Sequence, residues 1–243
     1  MKEFRGFDLP KARAMVATLR IEDQLEIPMD IRSLADFRRW AVSETFPERG
    51  RIDFLADSIE VDLSPEDLHT HGKLKVELVR VLAECVRRLD LGELYSDRTR
   101  VSCPDVNVSA EPDIVLVANE SLDSGRVRLV PRAGGGADRY IELEGPPDLL
   151  VEIVSDASVH KDTERLPGLY YAAGVREFWL VDARRADLVF RVHRPGASGY
   201  EPTPASPDGF QYSAVLDRWY QLHRTRNRHG RIAFELHEEQ RPG

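Results

Sequence analysis

Glu152 is the residue whose surroundings most demand a chemical explanation. It lies inside Leu149-Leu150-Val151-Glu152-Ile153-Val154, an apolar run that reads as a strand covered on both faces. A carboxylate there costs several kcal/mol unless a cation or hydrogen bonds compensate it. The plainer account is a buried glutamate paired with an arginine or capping a helix; the chemical account is a metal ligand. Asp113 adds weight to the second. It follows Pro112 and opens the apolar run Ile114-Val115-Leu116-Val117, and acids at strand ends are where α/β active sites collect. A turn aspartate before a strand is also common, so the Pro-Asp pair alone has little specificity. Asp148, in a second Pro-Asp pair, is excluded as partner. Four residues along one strand separate it from Glu152 by about 13 Å at ~3.3 Å per residue. Hard cations hold their oxygens at about 2–2.6 Å. Asp113, on a different strand, has no such limit.

Other groups join these two acids. Lys161 follows Glu152 by one loop and stands where it can lean back over the strand end, although a solvated loop lysine is the commoner case. His71 falls on the apolar face of a long helix, in register with Leu74, Leu78 and Cys85, where a satisfied core histidine is the usual outcome. Glu77 lies on the rim of that face, and Asp53 is an acid flanked by apolar residues in an early hairpin. Oxygen ligands with a lysine point to hard-metal chemistry, with Mg²⁺ or Mn²⁺ as the suited ion. No glycine-rich phosphate loop is present, since Gly134-Gly135-Gly136 lacks the lysine, strand and helix that such a loop needs. A Gly-x-Ser-x-Gly elbow is also missing.

The elements that must position these groups follow from pattern. Residues 1–45 read as a charged helical arm, with Ser33 and Asp36 as a capping box and Leu34, Phe37 and Ala41 at helical spacing. Residues 46–243 form the domain proper. Ile52 to Leu63 reads as a hairpin turning at Ala56-Asp57-Ser58. Ser64-Pro65-Glu66-Asp67 starts a helix running to about Asp90, with Ser64 as N-cap. Arg98 to Cys103 and Asp113 to Val117 are strands, and residues 119–136 are a long loop excursion. After the Glu152 strand, Thr163 or Asp162 caps a helix that Gly174 ends. Phe178 to Val181 then returns as a strand parallel to the first, making a βαβ unit. Leu188 to His193 and Ile232 to Leu236 read as antiparallel edge strands. The fold class is α/β (α+β), a mixed central sheet flanked by helices.

Composition bounds the partners. Thirty-four Lys and Arg against 42 Asp and Glu give a net charge of −8, which disfavours a protein wrapped along nucleic acid but allows one local basic face. Residues 218–231 offer that face through Arg224, Arg226 and Arg228, with a solvated basic edge as the simpler reading. Two cysteines make neither a disulfide framework nor a metal set. With no signal-like or membrane-spanning stretch, a cytoplasmic protein is expected.

Taken in order, Pro112-Asp113, Val151-Glu152-Ile153-Val154-Ser155, Lys161-Asp162, Tyr170, Ala173-Gly174-Val175 and Glu177-Phe178-Trp179-Leu180-Val181-Asp182 make a specific series. Upstream stand Ser64-Pro65 and His71-Gly72, with Asp53 where an acid is usual. This series resembles the Uma family of restriction-endonuclease-like proteins, within the PD-(D/E)XK nuclease superfamily, over roughly Arg51 to Val192. The resemblance implies a restriction-endonuclease-like core, a divalent metal held by Asp113 and Glu152 with Asp53 near, and Lys161 as the catalytic lysine. The plain motif puts that lysine two residues after the acid, where this chain has Val154. Many relatives carry a helix lysine where this chain has Leu166. The expected activity is metal-dependent hydrolysis of DNA phosphodiesters by a homodimer. A catalytically silent relative that binds nucleic acid or a protein partner is the second expectation.

Overall fold

The computed structural model describes residues 18–21, 25–132, 134 and 136–241. Strands β1 (Thr18–Ile21) and β2 (Leu25–Pro28) pair antiparallel and lead to helix α1 (Leu34–Ala41). Ser33 caps α1 by accepting the Asp36 amide, and the Asp36 carboxylate accepts the Ser33 hydroxyl and the Arg32 amide. The capping box is therefore real. The described part of the first 45 residues is not helical throughout, because Leu25-Glu26-Ile27 alternates with a two-residue period and turns Leu25 into the core.

Strands β3 (Arg51–Leu55) and β4 (Ser58–Asp62) form the expected hairpin. Ala56 and Asp57 turn it with φ of 47° and 70°, the left-handed pair that matches strand twist in a two-residue loop. Helix α2 (Leu74–Leu89) is entered through a π-helical turn, Leu68–Lys73. The N-cap of that turn is Asp67, which accepts the His69 and Thr70 amides, and not Ser64, whose hydroxyl and amide bond Asp62 instead.

There follow β5 (Gly92–Ser96), β6 (Arg100–Cys103), β7 (Val108–Ala110), β8 (Ile114–Ala118), α3 (Asn119–Asp123), β9 (Arg128–Pro131), β10 (Tyr140–Glu144) and β11 (Leu149–Ile153). The stretch 119–136 is thus no plain loop: it holds α3 and β9, and β9 pairs with β10. A second π-helical turn, Lys161–Arg165, runs into α4 (Leu166–Ala173), which Gly174 closes at φ 86°. The π-helical turn already contains Asp162 and Thr163, so neither of them is the N-cap. Next comes β12 (Glu177–Asp182), parallel to β11 as expected, and then β13 (Val189–Pro195), β14 (Tyr200–Pro202), β15 (Gln211–Ser213), β16 (Arg218–Arg226) and β17 (Ile232–Glu239).

The strands make two six-stranded sheets, β4-β3-β7-β6-β10-β9 and β14-β13-β12-β11-β8-β5, beside the ribbon β15-β16-β17. One core lies between the second sheet, α2 and the ribbon, through Leu74, Leu78, Cys85, Val151, Trp179 and Tyr220. Another fills the space between the second sheet, α4 and the first sheet, through Leu55, Val101, Leu143, Val115, Leu150 and Tyr170. A third seats α1 on β3. Buried Glu177 fixes the ribbon to β12 by accepting the Trp179 indole N–H, the Ser213 hydroxyl and the Ala214 amide. The architecture is a mixed α+β fold with central sheets flanked by helices. Among the described residues no helix is long and apolar enough to cross a membrane.

Leu78→Ala is expected to cost about 2–5 kcal/mol through the cavity it leaves, because its side chain is fully enclosed by the α2 core. Val76→Ala on the exposed side of the same helix should stay within about 0.5 kcal/mol. Urea unfolding of the two variants beside the wild type measures both.

Candidate functional site

Strand alternation decides which acids meet. In β3, Ile52 and Phe54 join the core under α1, so Arg51, Asp53 and Leu55 face the other way, toward the second sheet. In that sheet β11 and β8 run antiparallel with Val151 opposite Ile114. Just past that pair lie Glu152 and Asp113, and the Ile153 amide reaches across to donate to Asp113 Oδ2 at 2.8 Å. Two acids 39 positions apart in sequence thus become cross-strand neighbours at a sheet end, and Asp53 approaches them from the other sheet.

Each acid has defined partners. Asp113 is fully buried; its Oδ1 accepts Arg51 Nη2 at 2.8 Å and its Oδ2 accepts the Ile153 amide at 2.8 Å. His71 Nε2 and Lys75 Nζ stand 3.4 and 3.3 Å from the same Oδ1. Burial pushes the Asp113 carboxyl up, but the bond from His71 and the charges of Arg51 and Lys75 outweigh it and hold the group far below the usual carboxylate range. Glu152 is its opposite. Burial, then the charges of Asp162 and Asp113, push it well above its ordinary value. Its Oε1 accepts the Tyr170 hydroxyl at 2.7 Å, while its buried Oε2 has no hydrogen-bond partner. Asp53 accepts the Glu111 amide at 3.0 Å and the Lys161 ammonium at 2.9 Å. Lys161 is held above its ordinary value because the charges of Asp53 and Glu152 outweigh its burial.

The π-helical turns carry part of this machinery, and such turns gather at functional positions. The first brings His71 inward; the second brings Lys161 and buried Asp162 together. Asp162 accepts the Ser158 hydroxyl on Oδ2 and has no hydrogen-bond partner on its buried Oδ1. Burial raises it to about 6. Among the described residues, Glu66, His71 and Asp113 form the one group whose ligand atoms converge closely enough to hold a cation, within 4.8 Å of one another.

The structure therefore brings together Asp113, Glu152, Asp53, Lys161 and His71. It keeps Glu77 apart: that carboxylate accepts the Leu236 amide and the Arg80 guanidinium on the β17 side of α2. Asp148 is likewise remote in function, bonded by Ser121, Arg126 and Arg176 and by the Ala118 amide. Arg224 is spent on the turn after β12, donating to the carbonyls of Ala183, Arg185 and Ala186. Arg226 donates to Gly230 O and Arg228 to the His229 ring, both exposed at the ribbon tip. Arg51, Glu66, Lys75 and Asp162 are residues the sequence reading did not single out as site groups. Two carried a signal: Arg51 shares a strand face with Asp53, and Lys75 lies one helical turn beyond His71.

This fold and site define a nuclease-like domain with a candidate metal-binding triad. Four solved chains match it in fold. One is described as a putative nuclease belonging to DUF820 from Anabaena variabilis, with a TM-score of 0.54 and 17% identity over 76% of this chain and 90% of that one. No curated relative matches the sequence. Residues 34–236 match the profile of the Uma2 family, described as a putative restriction endonuclease, and the chain belongs to that family.

Asp162 has a measurable pH consequence. Its folded value lies above its unfolded one, so the stability it contributes is full below about pH 4, is lost as pH rises toward 6, and stays lost beyond. Asp162→Asn removes that loss. It is expected to stabilise the fold at pH 7, with the gain shrinking to nothing by pH 4. Urea midpoints measured from pH 4 to 7.5 test this, and a pH-independent difference would refute it.

Proposed function

We propose that this protein is a divalent-cation-dependent endonuclease that hydrolyses phosphodiester bonds in DNA. The observation that supports the reading is the buried Asp113 carboxylate, bonded to the Ile153 amide next to Glu152, whose own buried Oε2 has no hydrogen-bond partner. A carboxylate has about four lone-pair sites; Arg51, His71 and Lys75 crowd Asp113 Oδ1, and Oδ2, which accepts only the Ile153 amide, keeps the spare capacity. This all-oxygen pair suits Mg²⁺ or Mn²⁺. When bound, such a cation polarises the scissile phosphate and lowers the pKa of a water.

The chain's own groups do the rest. Tyr170 fixes the Glu152 carboxyl through Oε1 and leaves Oε2 directed away from that bond. Asp53, offered as a third ligand by the resemblance, has both oxygens engaged, so its role in this proposal is to hold Lys161. The Lys161 ammonium orients the attacking water or balances charge growing on the phosphoryl oxygens. Arg226 and Arg228 at the ribbon tip give duplex phosphates a local positive edge. Arg224, bound to backbone carbonyls, supports that ribbon. We assign these residues to a single domain over 46–243, preceded by the arm 1–45. A homodimer suits cleavage of both strands, and two free, buried cysteines suit the cytoplasm.

A second reading has its own support. Val154 and Leu166, at the two lysine positions of the family pattern, are both buried apolar side chains. A silent relative would keep DNA binding without turnover.

Purified protein with Mn²⁺ or Mg²⁺ is expected to nick supercoiled DNA, and Asp113→Asn or Glu152→Gln to lower the rate by 10²-fold or more, roughly the loss seen when one electrostatic stabiliser is removed. Wild type as inert as both variants, with either metal, sinks the catalytic proposal and leaves the silent one. Arg228→Ala should lower the slope of log affinity against log salt by about 1 in filter binding.

A further inference from the structure

A cavity of about 610 Å³ that the proposed hydrolysis leaves unused lies between the loop after α1 and the β6–β10 pair. Its volume falls within the ~300–1,000 Å³ range of sites that enclose a small molecule. Rings form part of its wall: Phe46 from the loop after α1, Tyr95 from β5 and Tyr140 from β10. Tyr140 is 48% exposed, so its ring is open to a further partner. Buried polar groups line the cavity as well. Glu111 and Glu142 each already hold an arginine: Arg100 donates to Glu111 Oε1, and Arg38 to Glu142 Oε1 at 2.7 Å. The Arg100 guanidinium also lies over the Phe46 ring, 5.1 Å from its centroid. Three arginines (98, 100 and 132) against four acids (48, 111, 138 and 142) line the space, so a phosphate gains no net attraction inside. A flat ring with amino donors finds both stacking surfaces and carboxylate acceptors there.

This cavity adjoins the acid centre. Arg98 and Glu111 line both it and a smaller cavity of about 210 Å³ beside Arg51 and His71. The Glu111 amide donates to Asp53 at 3.0 Å, which ties that residue to the centre. Arg98 is placed by the turn between β5 and β6, where Asp97 and Arg98 take left-handed φ of 43° and 56°. The Asp97 amide donates to the Asp113 carbonyl at 3.4 Å, and the Arg98 guanidinium donates to the Glu48 carbonyl. A phosphate held at the acids therefore has Arg98 and the mouth of the larger cavity beside it.

We propose that this cavity receives one unstacked base of the DNA, stacked on Tyr140 with an amino group donating to Glu111, while the adjoining phosphate lies at the acid centre. That role rests on the nuclease reading and narrows its substrate to DNA in which a base is already unpaired, since extruding a base costs least there. Aromatic side chains take any base, because every base has a π-face. Glu111 adds a preference for cytosine, whose amino group donates, over thymine, which has none. The loop after α1 thereby serves the substrate, by supplying the Phe46 wall.

Fluorescence anisotropy of the full chain, without Mn²⁺ or Mg²⁺, tests this on four DNA duplexes: fully paired, or carrying a bulged cytosine, a bulged thymine or a bulged abasic site. Wild type is expected to bind the cytosine bulge roughly tenfold tighter than the paired duplex, with the abasic bulge losing most of that advantage and thymine falling between. Tyr140→Ala should weaken the cytosine bulge by roughly tenfold, the loss of one base–aromatic stack, and leave the paired duplex unchanged. Tyr140→Phe should restore wild-type affinity. Equal affinity for the cytosine and abasic bulges, no binding to any duplex, or Tyr140→Ala unchanged throughout overturns the inference; nicking of supercoiled DNA by the same preparation with Mn²⁺ keeps the nuclease reading standing in each case. Equal affinity for cytosine and thymine overturns the role of Glu111. A cytosine-bulge preference in a protein that never nicks supports the cavity and counts against catalysis.

Discussion

Acids withdrawn from water at the junction of two sheets are the constraint on which this structure turns. Asp53, Asp113, Glu152 and Asp162 are all buried, and each ionised carboxylate in such a place must be compensated or neutralised. The chain answers differently for each. Asp113 is surrounded by Arg51, His71 and Lys75 and stays ionised. Asp53 is matched to Lys161. Glu152 and Asp162 face each other's field with less cationic help, and both are pushed toward their neutral forms. Removing one partner from such a set leaves an uncompensated charge, which is far more costly than never having buried the pair.

Apolar packing supplies the rigidity that makes this arrangement possible. Helix α2 and the ribbon press on one face of the second sheet, and α4 and the first sheet on the other. The polar cluster sits where these layers end. Departures from regular geometry gather there too: two π-helical turns deliver His71, Lys161 and Asp162, and a left-handed turn places Asp97. Local rules of sequence and structure are expected to fail at functional positions, where geometry serves chemistry ahead of stability.

The legible parts of the sequence were those with strong periodicity. The α2 face, the β3–β4 hairpin and the parallel β11–β12 unit all follow from spacing. Less legible were the short strands β5, β7, β9, β10 and β14, whose few residues carry too little alternation to stand out from turns. The parallel pairing of β6 with β10 is a long-range choice with no local mark. Ser64-Pro65 looked like a helix start, yet the backbone waits until Asp67, since the acid offers a stronger acceptor to the first free amides. Arg224 reads as a free surface cation in sequence; only tertiary structure shows three carbonyls waiting for it.

The position of Asp53 has a further consequence. It reaches the cluster from a different sheet than Asp113 and Glu152, so the bond from Lys161 to Asp53 is a strut between layers. The spacing of the layers is set by the side chains stacked between them, among them Leu55, Val101, Leu143 and Phe178. A change of volume in that filling, distant from any charged group, shifts one wall of the cluster against the other. The apolar interior thereby sets the gauge of the polar site.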